Sequence, residues 1–152
     1  MIERQKIIKN PKSFDVDLGK SPVSTINNYT SNGFIPSPIT VGGLKGGHTK
    51  VGYYPDIVIT MLRDINEMRK VYKYAGIKIE MHKKYQAVFE IYDILTMLTE
   101  FNFVKKPALG AYLNNSTISQ ENKEKIHEIY SADLPRKEIK LKFLDLLSSQ
   151  NI

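Results

Sequence analysis

A chain of 152 residues, 41% of them apolar, can build one core or a small head with a helical extension, but it holds no run of the ~20 apolar residues that a membrane-spanning helix needs. With no cysteine it has no disulfide, thiol nucleophile or thiolate metal site, and His48, His82 and His127 are too scattered to suggest a metal site, so no cofactor is expected. The net charge of +6 is uneven: Met1–Gly52 carries seven basic and three acidic residues, whereas Tyr53–Lys105 and Lys106–Ile152 each exceed neutrality by one.

The N-terminus, MIERQKIIKNPKSF, is charged and lacks an apolar signal core; with the missing cysteines this points to the cytoplasm. Met1–Asn10 reads as an arm, with Ile7-Ile8 between Lys6 and Lys9 able to fold back. Pro11–Lys20 is expected to hold a short helix ended by Gly19, although Phe14, Val16 and Leu18 alternate in the strand sense. Ser21 is a natural N-cap, and Pro22 follows where a missing N–H costs nothing. Val23, Ile26 and Tyr29 then share one helical face. Gly33 stands where a left-handed C-cap residue belongs, with Phe34 placed to make the closing apolar contact. Pro36 and Pro38 end the element. Ile39–Val41 and Val51–Tyr53 form a hairpin around a glycine-rich tip, Gly42–His48.

Pro55 opens a longer helix, with Ile57/Val58, Met61/Leu62, Ile65, Met68 and Tyr72 at three- and four-residue steps and a stop or hinge at Ala75-Gly76. Met81, Tyr85, Val88, Tyr92 and Leu95 then step as a heptad seam on a second long helix. Its apolar stripe is wide enough to need a partner: either this chain's own C-terminal helices or, as a coiled coil, a second copy through Met81–Phe101. Lys105–Asn115, with Pro107 and Gly110, reads as a connection. Thr117 and Gln120 fit a capping box for a helix over Ile118–Tyr130. Leu134-Pro135 opens a last helix to Ser148, with Ile139, Phe143, Leu146 and Leu147 on its apolar face.

A short helix, a glycine-rich basic loop between two strands and another helix is the order of a winged helix-turn-helix. Ser21–Ile65, 45 of the 152 residues, resembles the DNA-binding head of MerR-type regulators in Ser24-Thr25-Ile26, Tyr29, Gly33-Phe34-Ile35-Pro36, Tyr54, Leu62 and Ile65. It departs from the pattern at Asn27 and Asn28, where the family usually has arginine and tyrosine, and at Tyr53, a usual wing arginine position. The resemblance implies a mostly α chain. A winged helix-turn-helix head with a small β-hairpin wing would occupy residues 1–75, and a long helix with a C-terminal helical extension, acting in dimerisation, residues 76–152. It further implies a homodimeric, sequence-specific transcriptional regulator of double-stranded DNA, with the charge excess on the head as phosphate contact requires.

The candidate DNA-binding residues are Ser24, Thr25, Asn27, Asn28 and Tyr29 on the helix, with Thr30 a further polar residue there, and Lys45, His48, Lys50 and Tyr53 on the wing. Asn suits adenine, and Ser or Thr suits phosphates and base edges. Arg63, Arg69, Lys70 and Lys73 extend a basic strip beyond. An enzyme is not expected, for no Ser/His/Asp arrangement, marked carboxylate pair or metal cluster stands out. Gly42–Gly47 lacks the Gly-x-x-x-x-Gly-Lys-Ser/Thr order of a phosphate loop. Two alternatives share the same topology: an excisionase-like or plasmid-maintenance accessory, and a protein-interaction adaptor that has kept the fold.

Overall fold

Ile2 and Glu3, the start of what reads as a loose arm, are tied into a sheet. In the computed structural model, which describes residues 1–44, 46–47, 49–101 and 106–148, strand β1 (Ile2–Glu3) runs antiparallel to β3 (Lys50–Tyr54), whose other edge pairs with β2 (Ile39–Gly42). The register sets Ile2 against Tyr54 and Ile39 against Tyr53. Ile39 and Val41 are buried and Thr40 between them is exposed, the two-residue alternation of a half-covered strand. Gly52, opposite Thr40, lies against Pro38, where a Cβ would come within 3.1 Å of the ring. Together with the helices below, the described residues make a mostly helical protein with one small antiparallel sheet.

Helix α1 (Arg4–Lys9) follows β1 directly and buries Ile7. Of the helix expected within Pro11–Lys20 only a short 3-10 turn forms. Pro11–Phe14 makes this turn, and Val16 and Leu18 follow outside any helix or strand, both buried. Two-residue burial suits an extended backbone and not a helix, and Asp15 and Gly19 adopt left-handed φ of 56° and 70°. The backbone of this stretch bonds instead to the helix α3 (Ile57–Met68). Arg63 donates twice to the Phe14 carbonyl, at 2.6 and 3.0 Å. Asn66 accepts from the Asp17 N–H at 2.9 Å and donates to the Asp17 carbonyl at 2.8 Å.

Helix α3 buries Val58, Ile59, Met61, Leu62 and Ile65 at the expected period but ends at Met68, so Tyr72 is exposed. The break falls before Tyr74, and Ala75 and Gly76 lie in the first turn of helix α4 (Tyr74–Lys84) rather than at a hinge. Lys84 pairs with Asp64 at 2.7 Å, which ties α4 to α3. The chain divides into two compact units, Met1–Lys84 and Tyr85–Ile152, with α4 in the first.

The heptad seam is not one helix. Tyr85, at φ −115° and ψ 27°, leaves helical geometry, and helix α5 (Gln86–Glu100) begins after it. Within the second unit α5 buries Val88, Ile91, Ile94 and Leu95 and lies against helices α6 (Lys106–Asn114) and α8 (Arg136–Ser148). Helix α7 (Gln120–Ser131) packs on both of these. The stripe on α5 that a homodimer through Met81–Phe101 would use is thus covered by the chain's own C-terminal helices.

Helix α6 replaces the expected connection over Lys105–Asn115. Pro107 falls in its first turn, where no intrahelical N–H is required, and Leu109 and Leu113 are buried one turn apart. The capping box at Thr117 is displaced: Ser119 caps α7, accepting from the Asn122 N–H at 3.3 Å. Thr117 is engaged elsewhere, its N–H donating to Glu90 Oε1 at 3.0 Å and its hydroxyl donating to the same oxygen. Helix α8 buries Ile139, Phe143, Leu146 and Leu147 as expected, with Leu144 added.

Tyr112 on α6 donates to Asp93 Oδ2 on α5 at 2.9 Å. Burial, and then the Asp93 carboxylate as hydrogen-bond acceptor and neighbouring charge, push its phenol up to about 12. A raised phenol favours the folded state while protonated. Its contribution is complete below the unfolded value near 10 and is lost as pH rises through about 12. Denaturation midpoints should therefore fall between those two values, and Tyr112→Phe should flatten part of the decline. An identical alkaline decline in Tyr112→Phe would show that the Tyr112–Asp93 pair has no part in it. Among the described residues no helix is long and apolar enough to cross a membrane.

Candidate nucleic-acid interface

Helix α2 (Pro22–Ser31) carries no charged side chain. Ser21 occupies the cap position, but its hydroxyl donates to Ser24 Oγ at 3.1 Å and makes no bond to a backbone N–H. The C-terminus closes as the sequence predicts. Gly33 has φ 74°, its N–H donates to the Thr30 carbonyl at 3.1 Å, and the Phe34 N–H reaches back to Tyr29 at 2.9 Å. These are the two bonds of a Schellman stop. The Phe34 ring lies 5.8 Å from that of Tyr29, which makes the accompanying apolar contact. His82 Nε2 sits 2.8 Å from the Gly33 carbonyl, so α4 holds the same end of α2.

Ile26 and Tyr29 face inward, whereas Val23, expected on their face, is half exposed. Ser24, Asn27, Asn28 and Ser31 are exposed and recur at three- and four-residue steps, so they form one outward polar strip. The other expected contact residues are disposed differently. Thr25 is half-buried, its hydroxyl donating to the Leu18 carbonyl at 2.8 Å, and Thr30 donates to Ile26 in the preceding turn. Tyr29 and Tyr53 are core residues, 1% and 5% exposed, and are not available to a duplex. A phenol on a helix or strand offers both an apolar ring and a polar tip, and here the ring decides. Lys50 is exposed at the start of β3. Lys45 and His48 lie outside the described residues.

Two arginines engage polar side-chain tips of α2, one on its inward side and one on its outward strip. Arg69 Nη1 donates to the Tyr29 hydroxyl at 3.1 Å. Burial raises the Tyr29 phenol above its usual range, and Arg69 opposes that rise. Arg4 Nη2 donates to Asn27 Oδ1 at 2.8 Å. Burial also raises Tyr54, with Thr30 and Arg4 pulling it partly back, although its hydroxyl makes no well-formed hydrogen bond. The basic strip beyond the hairpin is largely engaged in structure: Arg63 on Phe14, Arg69 on Tyr29, and Lys70 on Glu67 at 3.0 Å. Lys73 is exposed.

Charge separates along the same division as the fold. The first unit holds 14 Lys and Arg against 7 Asp and Glu, and the second 8 against 9, so that +7 and −1 make the total of +6. Among the described residues no group of three His, Asp or Glu is placed to hold a metal ion. Arg4 and His82 were not legible as site residues, because their partners stand 23 and 49 positions away. In comparisons with known proteins the chain matches no family model, no curated protein and no solved structure.

Proposed function

We propose that the first unit is a winged helix-turn-helix head that binds double-stranded DNA in a sequence-specific way, as part of a transcriptional regulator of MerR-like type. The observation that carries this reading is the charge division, +7 on Met1–Lys84 against −1 on Tyr85–Ile152. Solubility alone does not demand such a division, whereas binding a polyanion does. Three features agree with it. The uncharged strip of Ser24, Asn27, Asn28 and Ser31 suits base edges and phosphates. The exposed Lys20 and Lys50 suit the flanking backbone. The order α1, α2, hairpin, with β1 closing on β3, suits a wing.

Docking α2 in a major groove needs one head per groove. A homodimer through Met81–Phe101 would impose an inverted repeat, but its apolar stripe is covered within the second unit. The expected site is therefore a single half-site footprint. Gel-shift titrations on genomic fragments across a salt series test the reading. Affinity should fall steeply with salt. Lys20→Ala with Lys50→Ala should lower the log–log slope by about 0.9 for each phosphate no longer neutralised, on specific and scrambled duplexes alike. Binding indifferent to salt and to these lysines would reject it in favour of a protein-interaction adaptor. Footprints at promoters support a regulator, and footprints at recombination or origin junctions an excisionase-like accessory.

A further inference from the structure

We infer that Arg4 and Asn27 act as one donor-only unit whose target is guanine in the DNA major groove. The inference rests on the DNA-binding reading above and names the base that the α2 face selects. An asparagine by itself offers a donor and an acceptor side by side, which matches the N6 donor and N7 acceptor of adenine. Asn27 is not by itself. Arg4 Nη2 lies 2.8 Å from its Oδ1. A guanidinium has five N–H donors and no acceptor, so the amide must turn its oxygen to Arg4 and its NH2 group away. With the oxygen engaged, the Asn27 end and the neighbouring guanidinium both present N–H groups.

Guanine offers two acceptors in the major groove, N7 and O6, and so complements a pair of donors. Adenine would set its N6 amino group against a donor, and cytosine its N4 amino group. Arg4 is the first residue of α1, directly after the β1 strand that pairs with β3. Its guanidinium is steadied at Asn27 and is near enough to Tyr54 to act on the enclosed phenol. Asn27 lies in the outward strip with Ser24, Asn28 and Ser31. Because α2 carries no charge of its own, Arg4 also supplies that strip with a cation. A guanidinium held in this way loses less freedom on binding than a free surface arginine.

The test is selection of duplexes from a random pool by the full chain, followed by dimethyl sulfate protection, which reports guanine N7. The recovered motif should contain a guanine that the protein shields from methylation. Arg4→Ala should lose that protection and lower the guanine-over-adenine preference about tenfold while low-salt binding persists. Arg4→Lys keeps the charge but not the fork, and should also weaken the preference. Asn27→Asp replaces the outward amide donor by an acceptor, and the preference should move from guanine toward cytosine. Should Arg4→Ala fail to fold by circular dichroism, Arg4→Lys and Asn27→Asp decide the matter. A selected adenine that depends on Asn27 and ignores Arg4 would overturn the inference, as would salt-dependent binding with no guanine preference. Folded wild-type protein with no salt-dependent binding would instead overturn the DNA-binding reading, and this inference with it.

Discussion

Ile91→Asp should unfold the Tyr85–Ile152 unit rather than dissociate a dimer. Ile91 is 0% exposed, in the middle of α5, and Val88, Ile94 and Leu95 are buried around it on the helix face that meets α6 and α8. The substitution forfeits about 2 kcal/mol of apolar transfer and adds a carboxylate with no partner, which costs several kcal/mol more or forces the acid to stay protonated. A loss above ~4 kcal/mol is large against the 5–15 kcal/mol that holds a typical domain together. Helices α5 to α8 contain 15, 9, 12 and 13 residues, 49 in all, against 6, 10, 12 and 11, or 39, in α1 to α4. The far-UV helical signal should accordingly fall by roughly half. Sedimentation should show an expanded chain. If the variant kept its helix signal and changed only from dimer to monomer, α5 would be an intermolecular seam after all.

Phe34→Ala should destabilise the first unit by about 3–5 kcal/mol, the usual cost of emptying a buried phenylalanine site. The ring is 1% exposed and stands 5.8 Å from Tyr29 and 5.3 Å from Tyr74. It joins α2 to α4 at the point where the Gly33 stop and His82 hold the C-terminus of α2. Its loss should shift the urea midpoint of the first unit. Under the DNA-binding proposal, and above that effect on stability, sequence preference on DNA should weaken before non-specific binding does. Phosphate contact needs only charge in the neighbourhood, whereas base readout needs α2 held in one orientation. A change below ~1 kcal/mol would mean that Tyr29 and Tyr74 close over the gap.

The elements that were legible are those whose cause is local. Gly33 and Phe34 stop α2 through bonds and a contact that span six residues, so the chain itself contains every participant. The apolar period of α3 and α8 marks the faces they bury, because a 3.6-residue repeat needs no knowledge of the partner. The hairpin strands, and the excess of positive charge toward the N-terminus, are equally direct readings.

Other features depended on what lies across the fold. A wide stripe on α5 requires a cover, but periodicity does not say whose; α6 and α8 supply it within the chain. Beyond its 3-10 turn Pro11–Lys20 forms no helix, and Arg63 and Asn66, 49 positions away, satisfy its backbone instead. Pro107 and Gly110 look like loop residues, yet a proline in the first turn and burial of Leu109 and Leu113 make a helix there. Tyr29 and Tyr53 are amphipathic, and only their neighbours decide that both are core. The sequence by itself determined where charge and polar groups are concentrated. Tertiary structure decided which of those groups still face outward, and that the Asn27 oxygen is engaged by Arg4, because hydrogen-bond partners 23 residues apart meet only once the chain has folded.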